Sequence, residues 1–215
     1  MSLTTNARHR RRADATGGPA GNERLTAMTG AVLLVLFAAE GVTLLRLHRL
    51  LTMHFFVGML LLGPVALKIA STGYRFIRYY AGAGPYVRKG PPAPAMRMLG
   101  PLVIATSLAV LGTGVALAVV GPGDAQWLFL HKASFVLWFG VMTIHVLVYA
   151  PRLPRLLLGS QAAGRTVAGR TVAGRTGAVL RGRATRWLLL AASLACGLVL
   201  AATTLHLTAR WGVLG

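Results

Sequence analysis

Five apolar runs, each long enough to cross a bilayer, constrain this chain more than any other feature. They cover residues 25–45, 50–70, 99–120, 127–149 and 187–208, against the roughly 20 apolar residues a helix needs to span the hydrocarbon. The third run contains no ionisable residue at all. Lipid offers no hydrogen bonds, so a spanning segment must satisfy its backbone internally, and a run of this length does so as a helix. The pattern predicts an all-α membrane protein with five transmembrane helices: a four-helix bundle core over 25–149 and a fifth helix in 187–215. A basic tail (1–24) and a basic Gly/Arg-rich linker (150–186) flank these parts. The first run follows MSLTTNARHRRR, but it is too long for a signal peptide and no small-residue cleavage site closes it, so it is expected to stay.

Charge then sets an expected direction. The chain carries 23 Lys+Arg against 4 Asp+Glu, yet only 13% of its residues are charged. The arginines sit between apolar runs rather than on one soluble module, which argues against nucleic acid as a partner. Five basic residues lie in the N-terminal tail, six in the second connection with its flanks and eight in the fourth, leaving four for the opposite side. The basic loops are cytoplasmic by the positive-inside rule. That places the N-terminus in the cytoplasm and the C-terminus outside a bacterial-type plasma membrane. The one cysteine, Cys196, lies in an apolar run, which rules out an internal disulfide and a Cys-based metal site.

The two large basic connections differ in texture. The linker repeats TVAGR at 166–170 and 171–175 and reads as flexible low-complexity chain, its charge serving topology and lipid attraction. Residues 71–98, read as a loop, alternate Tyr74, Phe76, Tyr79, Tyr80 and Tyr86 with Arg75, Arg78 and Arg88. Such residues suit an interfacial belt at headgroup depth, or a docking surface for an acidic partner or a quinone headgroup.

Ionisable groups inside a bilayer are costly and mark candidate sites. Glu40, His54, His131 and His206 come from four different runs and fall at similar depth in the expected outer half, while Lys68 and His145 fall in the inner half. His54 and His131 lie on runs of the same direction, each about a turn below the outer surface. Two such imidazoles can fill both axial positions of a haem iron. Gly58, Gly112 and Gly114 offer flat backbone that makes room beside a macrocycle, or simply allows close helix packing. His131 and His145 are fourteen residues apart, about 21 Å of helical rise and nearly one face. No CxxC, phosphate loop, nucleophile elbow or HExxH offers a competing site.

On these residues the segment from about 48 to 149 resembles the bacterial membrane cytochrome b group, four-helix haem proteins that anchor oxidoreductases. HFFVGMLL with His54, and LHKASFVLWFGVMTIHVL with His131 and His145, carry the likeness. It implies a b-type haem on His54 and His131, and electron transfer to or from a quinone or a redox partner protein. The chain would then be at most the electron-transfer subunit of an oxidoreductase. Relatives that stack two haems have histidines 13–14 residues apart on each of two helices. Here the position fourteen after His54 is Lys68, whose ammonium has no lone pair for iron. The resemblance therefore implies a complete outer haem site and an inner one that is missing or altered, leaving His145 to carry an inner haem with a ligand from elsewhere, hydrogen-bond a quinone or pair with a lipid phosphate. Glu40, at a similar depth, is a candidate to hydrogen-bond a ligand imidazole, to take up a proton linked to reduction, or to serve as a structural acid near the outer interface.

Two other classes fit the composition. One is a cofactor-free scaffold or complex subunit working through its basic loops. The other is a small proton-linked carrier using Glu40, His54 and His131 as a relay, although no two halves of the chain repeat and Gly63-Pro64 is the one evident break.

Overall fold

The computed structural model describes residues 18–90, 94–149 and 173–214. The start of the basic tail with His9, and the linker up to 172 with the first TVAGR copy, lie outside the described residues. The helices are α1 (Gly18–Leu45), α2 (Leu47–Tyr80), α3 (Gly84–Lys89), α4 (Pro94–Val120), α5 (Ala125–Tyr149) and α6 (Ala173–Thr204), followed by a 3₁₀ stretch, Leu205–Leu214. No strand occurs among the described residues. Helices α1, α2, α4, α5 and α6 are each long and apolar enough to cross a membrane, so this is a multi-pass helical membrane protein, as the five runs predict. Large apolar side chains such as Leu45, Val136 and Leu147 point outward. In water that surface would aggregate; in a bilayer it is solvated by lipid tails.

Local chemistry explains where the helices end. Between α1 and α2 the chain reverses within a few residues, with the Arg49 and Leu50 N–H groups donating to the Arg46 carbonyl and Leu50 leaving helical geometry (φ −112°, ψ 18°). Gly121, at φ 98°, ends α4. Asp124 then opens α5 by accepting from the Gln126 and Trp127 N–H groups at 3.0 and 3.1 Å, a side-chain N-cap.

Two expectations about boundaries are corrected. Residues 71–80, read as loop, continue α2 to Tyr80; the one glycine among them, Gly73, costs only about 1 kcal/mol in a helix interior and does not end it. Beyond Tyr80 the Gly82 N–H donates to the Tyr79 carbonyl and Ala83 to Arg78, with Gly82 at φ 71°, a Schellman motif. The linker, read as flexible through 186, is helical from Ala173. The suspected break at Gly63-Pro64 is also absent: α2 runs through it as one helix, with Pro64 fully buried.

The chain forms two compact units, to both of which α1, α2 and α6 contribute. The first comprises Met1–Ala31, Leu67–Pro91 and Arg152–Ala192. In it α1 and α2 are joined by polar bonds: Asn22 Nδ2 donates to the Ser71 carbonyl (2.9 Å), Thr26 Oγ1 meets Ser71 Oγ (3.0 Å), and Lys68 Nζ donates to the Thr26 carbonyl (2.6 Å). Glu23 pairs with Lys89 and, at 3.8 Å, with Arg75, tying the short α3 to both helices. Tyr86 of α3 is buried against Tyr74 and lies under the Arg78 guanidinium; burial, with Tyr74 beside it, pushes its phenol above the usual 10.0.

The second unit comprises Val32–Ala66, Pro92–Pro151 and Ser193–Gly215. Met59, Ala118 and Ala201 form its core, backed by Phe55, Phe56, Leu60, Leu62 and Val115. Ala201 has no exposed surface at all, so within this unit the fifth span is packed in rather than loosely attached. Its crossing with α2 is backbone on backbone. A Cβ on Gly63 would collide with the Ser193 carbonyl, and one on Gly197 with the Leu60 carbonyl. Proline lacks an N–H, so Pro64 leaves the carbonyl four residues back, that of Leu60, without its helical donor. That freed oxygen is the one against which Gly197 packs.

Candidate functional site

The second unit brings Glu40, His54 and His131 together from α1, α2 and α5. The α1–α2 reversal sets α1 beside the start of α2, and His54 Nδ1 lies 2.9 Å from Glu40 Oε1 and 3.0 Å from Thr43 Oγ1. Thr43 donates its single hydroxyl proton to the Glu40 carbonyl at 2.6 Å, so toward His54 it can only accept. The carboxylate also accepts. Two acceptors on one ring nitrogen assign a proton to Nδ1.

His131 is held in a parallel way by α4. Its Nδ1 lies 3.3 Å from Thr113 Oγ1. Thr113 donates to the Ala109 carbonyl at 2.7 Å and so accepts from the imidazole, and Ser134 Oγ meets the same hydroxyl at 2.9 Å. The Val110 backbone is a further hydrogen-bond partner of this ring. The two imidazoles have centroids 6.4 Å apart and planes at 65°. One turn beyond Ser134, Trp138 is buried, donates from Nε1 to Ser107 Oγ (3.0 Å) and packs edge-on against Phe37 at 4.8 Å. The site therefore borders a dry aromatic wall.

The glycines play a different part from the one expected. A Cβ on Gly114 would stand 3.0 Å from His131 Cε1, and one on Gly58 3.5 Å from Glu40 Oε1. These two positions seat the imidazole and the carboxylate themselves instead of leaving space beside them. Gly112 would meet nothing within 4 Å.

Two of the residues singled out at similar or matching depth stand apart from this cluster. His206 is exposed and its Nδ1 contacts the carbonyl of Thr203, at the end of α6, at 2.8 Å. His145 lies fourteen residues further along α5, about 21 Å of rise from His131. Lys68, at the position where a second histidine was sought, is engaged with the α1 backbone at Thr26, its ammonium lying where a Cβ on Gly30 would come within 2.9 Å.

Thr43, Thr113 and Ser134 were missed by the sequence reading as hydrogen-bonding partners. A weak signal was there: Thr43 and Ser134 each lie three residues after an intramembrane ionisable group, on the same helix face. Glu40 Oε2 is buried without a hydrogen-bond partner among the described residues. No group of three or more His, Cys, Asp or Glu able to hold a metal ion occurs among those residues, so any metal here would depend on the two imidazoles. No protein-family model, curated protein or solved structure matches this chain.

Proposed function

We propose that the chain is a b-type cytochrome of a bacterial-type plasma membrane, binding one haem b between His54 and His131. The N-terminus is cytoplasmic, the C-terminus outside, and the haem lies near the outer face. The separation of the two imidazoles is the observation that carries this reading. A ligating nitrogen sits about 2 Å from a first-row metal and about 1.1 Å from its own ring centre, so two rings on opposite sides of one ion have centres roughly 6.3 Å apart; here they are 6.4 Å apart. The donor set fits as well. Both rings have Nδ1 beside oxygen acceptors, the arrangement by which outer hydrogen bonds fix the tautomer of a metal-ligating histidine.

Bound haem supplies reversible one-electron transfer. The chain's own residues supply the rest. His54 and His131 would hold the haem iron, and the hydroxyls of Thr43, Thr113 and Ser134 would fix their ring orientations. Glu40, accepting from His54 Nδ1, makes that ring a stronger donor, while Trp138 and Phe37 keep water from one flank. His145 and Lys68 carry no part of this site. The electron partner is a quinone or a redox protein, which would make the chain the electron-transfer subunit of an oxidoreductase.

A reduced-minus-oxidised absorption spectrum of protein purified from haem-replete cells tests the proposal. A b-type signal is expected in the wild type and should be lost in both His54→Ala and His131→Ala. A clean, folded preparation with no haem band would overturn it and leave a cofactor-free subunit as the reading.

A further inference from the structure

In the second unit the indole Nε1 of Trp211 is buried and meets no hydrogen-bond partner among the described residues. A tryptophan at the end of a spanning helix ordinarily turns its N–H outward, to water and headgroups. Here the N–H is turned inward. An indole can only donate, and a buried donor without an acceptor is costly, most of all where lipid replaces water. The exposed groups near the same end, Arg46, His48, Arg49, Lys132 and His206, carry no such debt.

The segment that carries Trp211 is tethered. Leu205–Leu214 continues α6 as a 3₁₀ stretch of 10 residues, well beyond the roughly three or four residues such geometry usually sustains. It packs against α4, where Arg210 Nη1 donates to the Val119 carbonyl at 2.8 Å. Successive residues of a 3₁₀ helix lie about a third of a turn apart, so with Arg210 reaching the end of α4, Trp211 faces elsewhere. Helix α4 also carries Thr113, whose hydroxyl lies 3.3 Å from His131 Nδ1. Val119 is about 9 Å further along the axis than Thr113, toward the Gly121 turn. The tether therefore joins the C-terminal strap to the helix that orients one of the two imidazoles.

What the inward N–H lacks is an acceptor, and the haem reading, on which this inference rests, supplies one. A haem carries two propionate carboxylates on one edge. Hydrocarbon cannot solvate them, so that edge belongs at the end of the bundle nearer water. A hydrogen bond to a carboxylate is stronger than one between neutral groups. We propose that Trp211 donates its indole N–H to a haem propionate, with Arg210 as the positioning residue that keeps the C-terminal strap on α4.

Absorbance titration of the haem-free full chain in detergent, with haem b and with iron etioporphyrin, tests this; the second porphyrin has alkyl groups where haem has propionates. Trp211→Phe should weaken haem b binding by about tenfold, the effect of losing a hydrogen bond to a charged group, and leave iron etioporphyrin within about twofold of wild type. Arg210→Met should weaken haem b by about threefold, again with iron etioporphyrin within about twofold. Equal weakening of both porphyrins by Trp211→Phe would reduce the residue to packing, and unchanged binding of both would leave it without a role; either result overturns the proposal. If Trp211→Phe loses its helical circular dichroism, Arg210→Met decides by the same two comparisons. A folded wild type that binds neither porphyrin would overturn the haem reading itself, and this inference with it. A wild type that binds both, with variants that do not discriminate between them, sinks this inference alone.

Discussion

Glu40 is the residue whose replacement separates a tuning role from a packing one. Its carboxylate lies 2.9 Å from His54 Nδ1, so it enriches that ring and favours the oxidised state of any metal the ring ligates. Glu40→Gln should keep the haem and raise its midpoint potential, by an amount on the order of 60 mV, the one-electron equivalent of a tenfold change in affinity. Redox titration checks this, and an unchanged potential would reduce Glu40 to a structural acid. Gly114→Ala is predicted to act on the other ligand, because its methyl would stand 3.0 Å from the His131 ring. The ring must yield by a few tenths of an ångström, which should lower haem retention without removing it, as read from haem-to-protein absorbance. The acid and both histidines were legible in the sequence because ionisable side chains are conspicuous in apolar runs. The hydroxyls were not. A Thr or Ser on a helix usually bonds to a carbonyl of its own preceding turn, and nothing in the sequence says that Thr43 and Thr113 do so while also accepting from an imidazole.

At the scale of elements, two contacts should dominate stability. Gly197→Ala places a methyl where the Leu60 carbonyl already is, and overpacking of this kind costs about 1–3 kcal/mol or more. A lowered unfolding temperature in detergent is the expected reading. Gly41→Ala is the control: a Cβ there meets nothing within 4 Å, and the substitution should be neutral or mildly stabilising. Lys68→Met removes the bond to the Thr26 carbonyl, and hydrogen bonds from charged donors contribute about 1.5–3 kcal/mol; the same melting experiment reads that loss. Helix ends were readable where punctuation was strong, as at Gly121 and Asp124. The extension of α2 to Tyr80 was not, because hydropathy falls off at Ser71 while helical geometry persists to Tyr80. Apolar length marks where a helix meets lipid, and a helix need not stop there. The α2–α6 crossing was hidden for a related reason. Gly63, Pro64 and Gly197 are visible singly, but only their juxtaposition turns a breaking dipeptide into a contact surface.

For the whole molecule, five candidate spans among the described residues predict termini on opposite sides. Reporter fusions should find the N-terminus cytoplasmic and the C-terminus outside, and the reverse result would invert every assignment of depth. The number of spans was plain from sequence because lipid leaves so few ways to satisfy a backbone. Which side chains meet depends on how each helix is rotated about its axis. Sequence fixes that poorly when, as here, much of a span is apolar all round.

The tight reversal at Arg46–Leu50 bears on how the protein is made. Glu40, Thr43 and His54 belong to one hairpin, so this half of the site is complete as soon as the first two spans leave the insertion machinery. His131 follows 77 residues later, a delay of about 4–15 s at ordinary rates of synthesis. During that interval His54 is held by its carboxylate with no counterpart across from it. For the proposed haem, capture would wait until four spans are in the bilayer, and a chain truncated after α4 should insert normally and remain colourless.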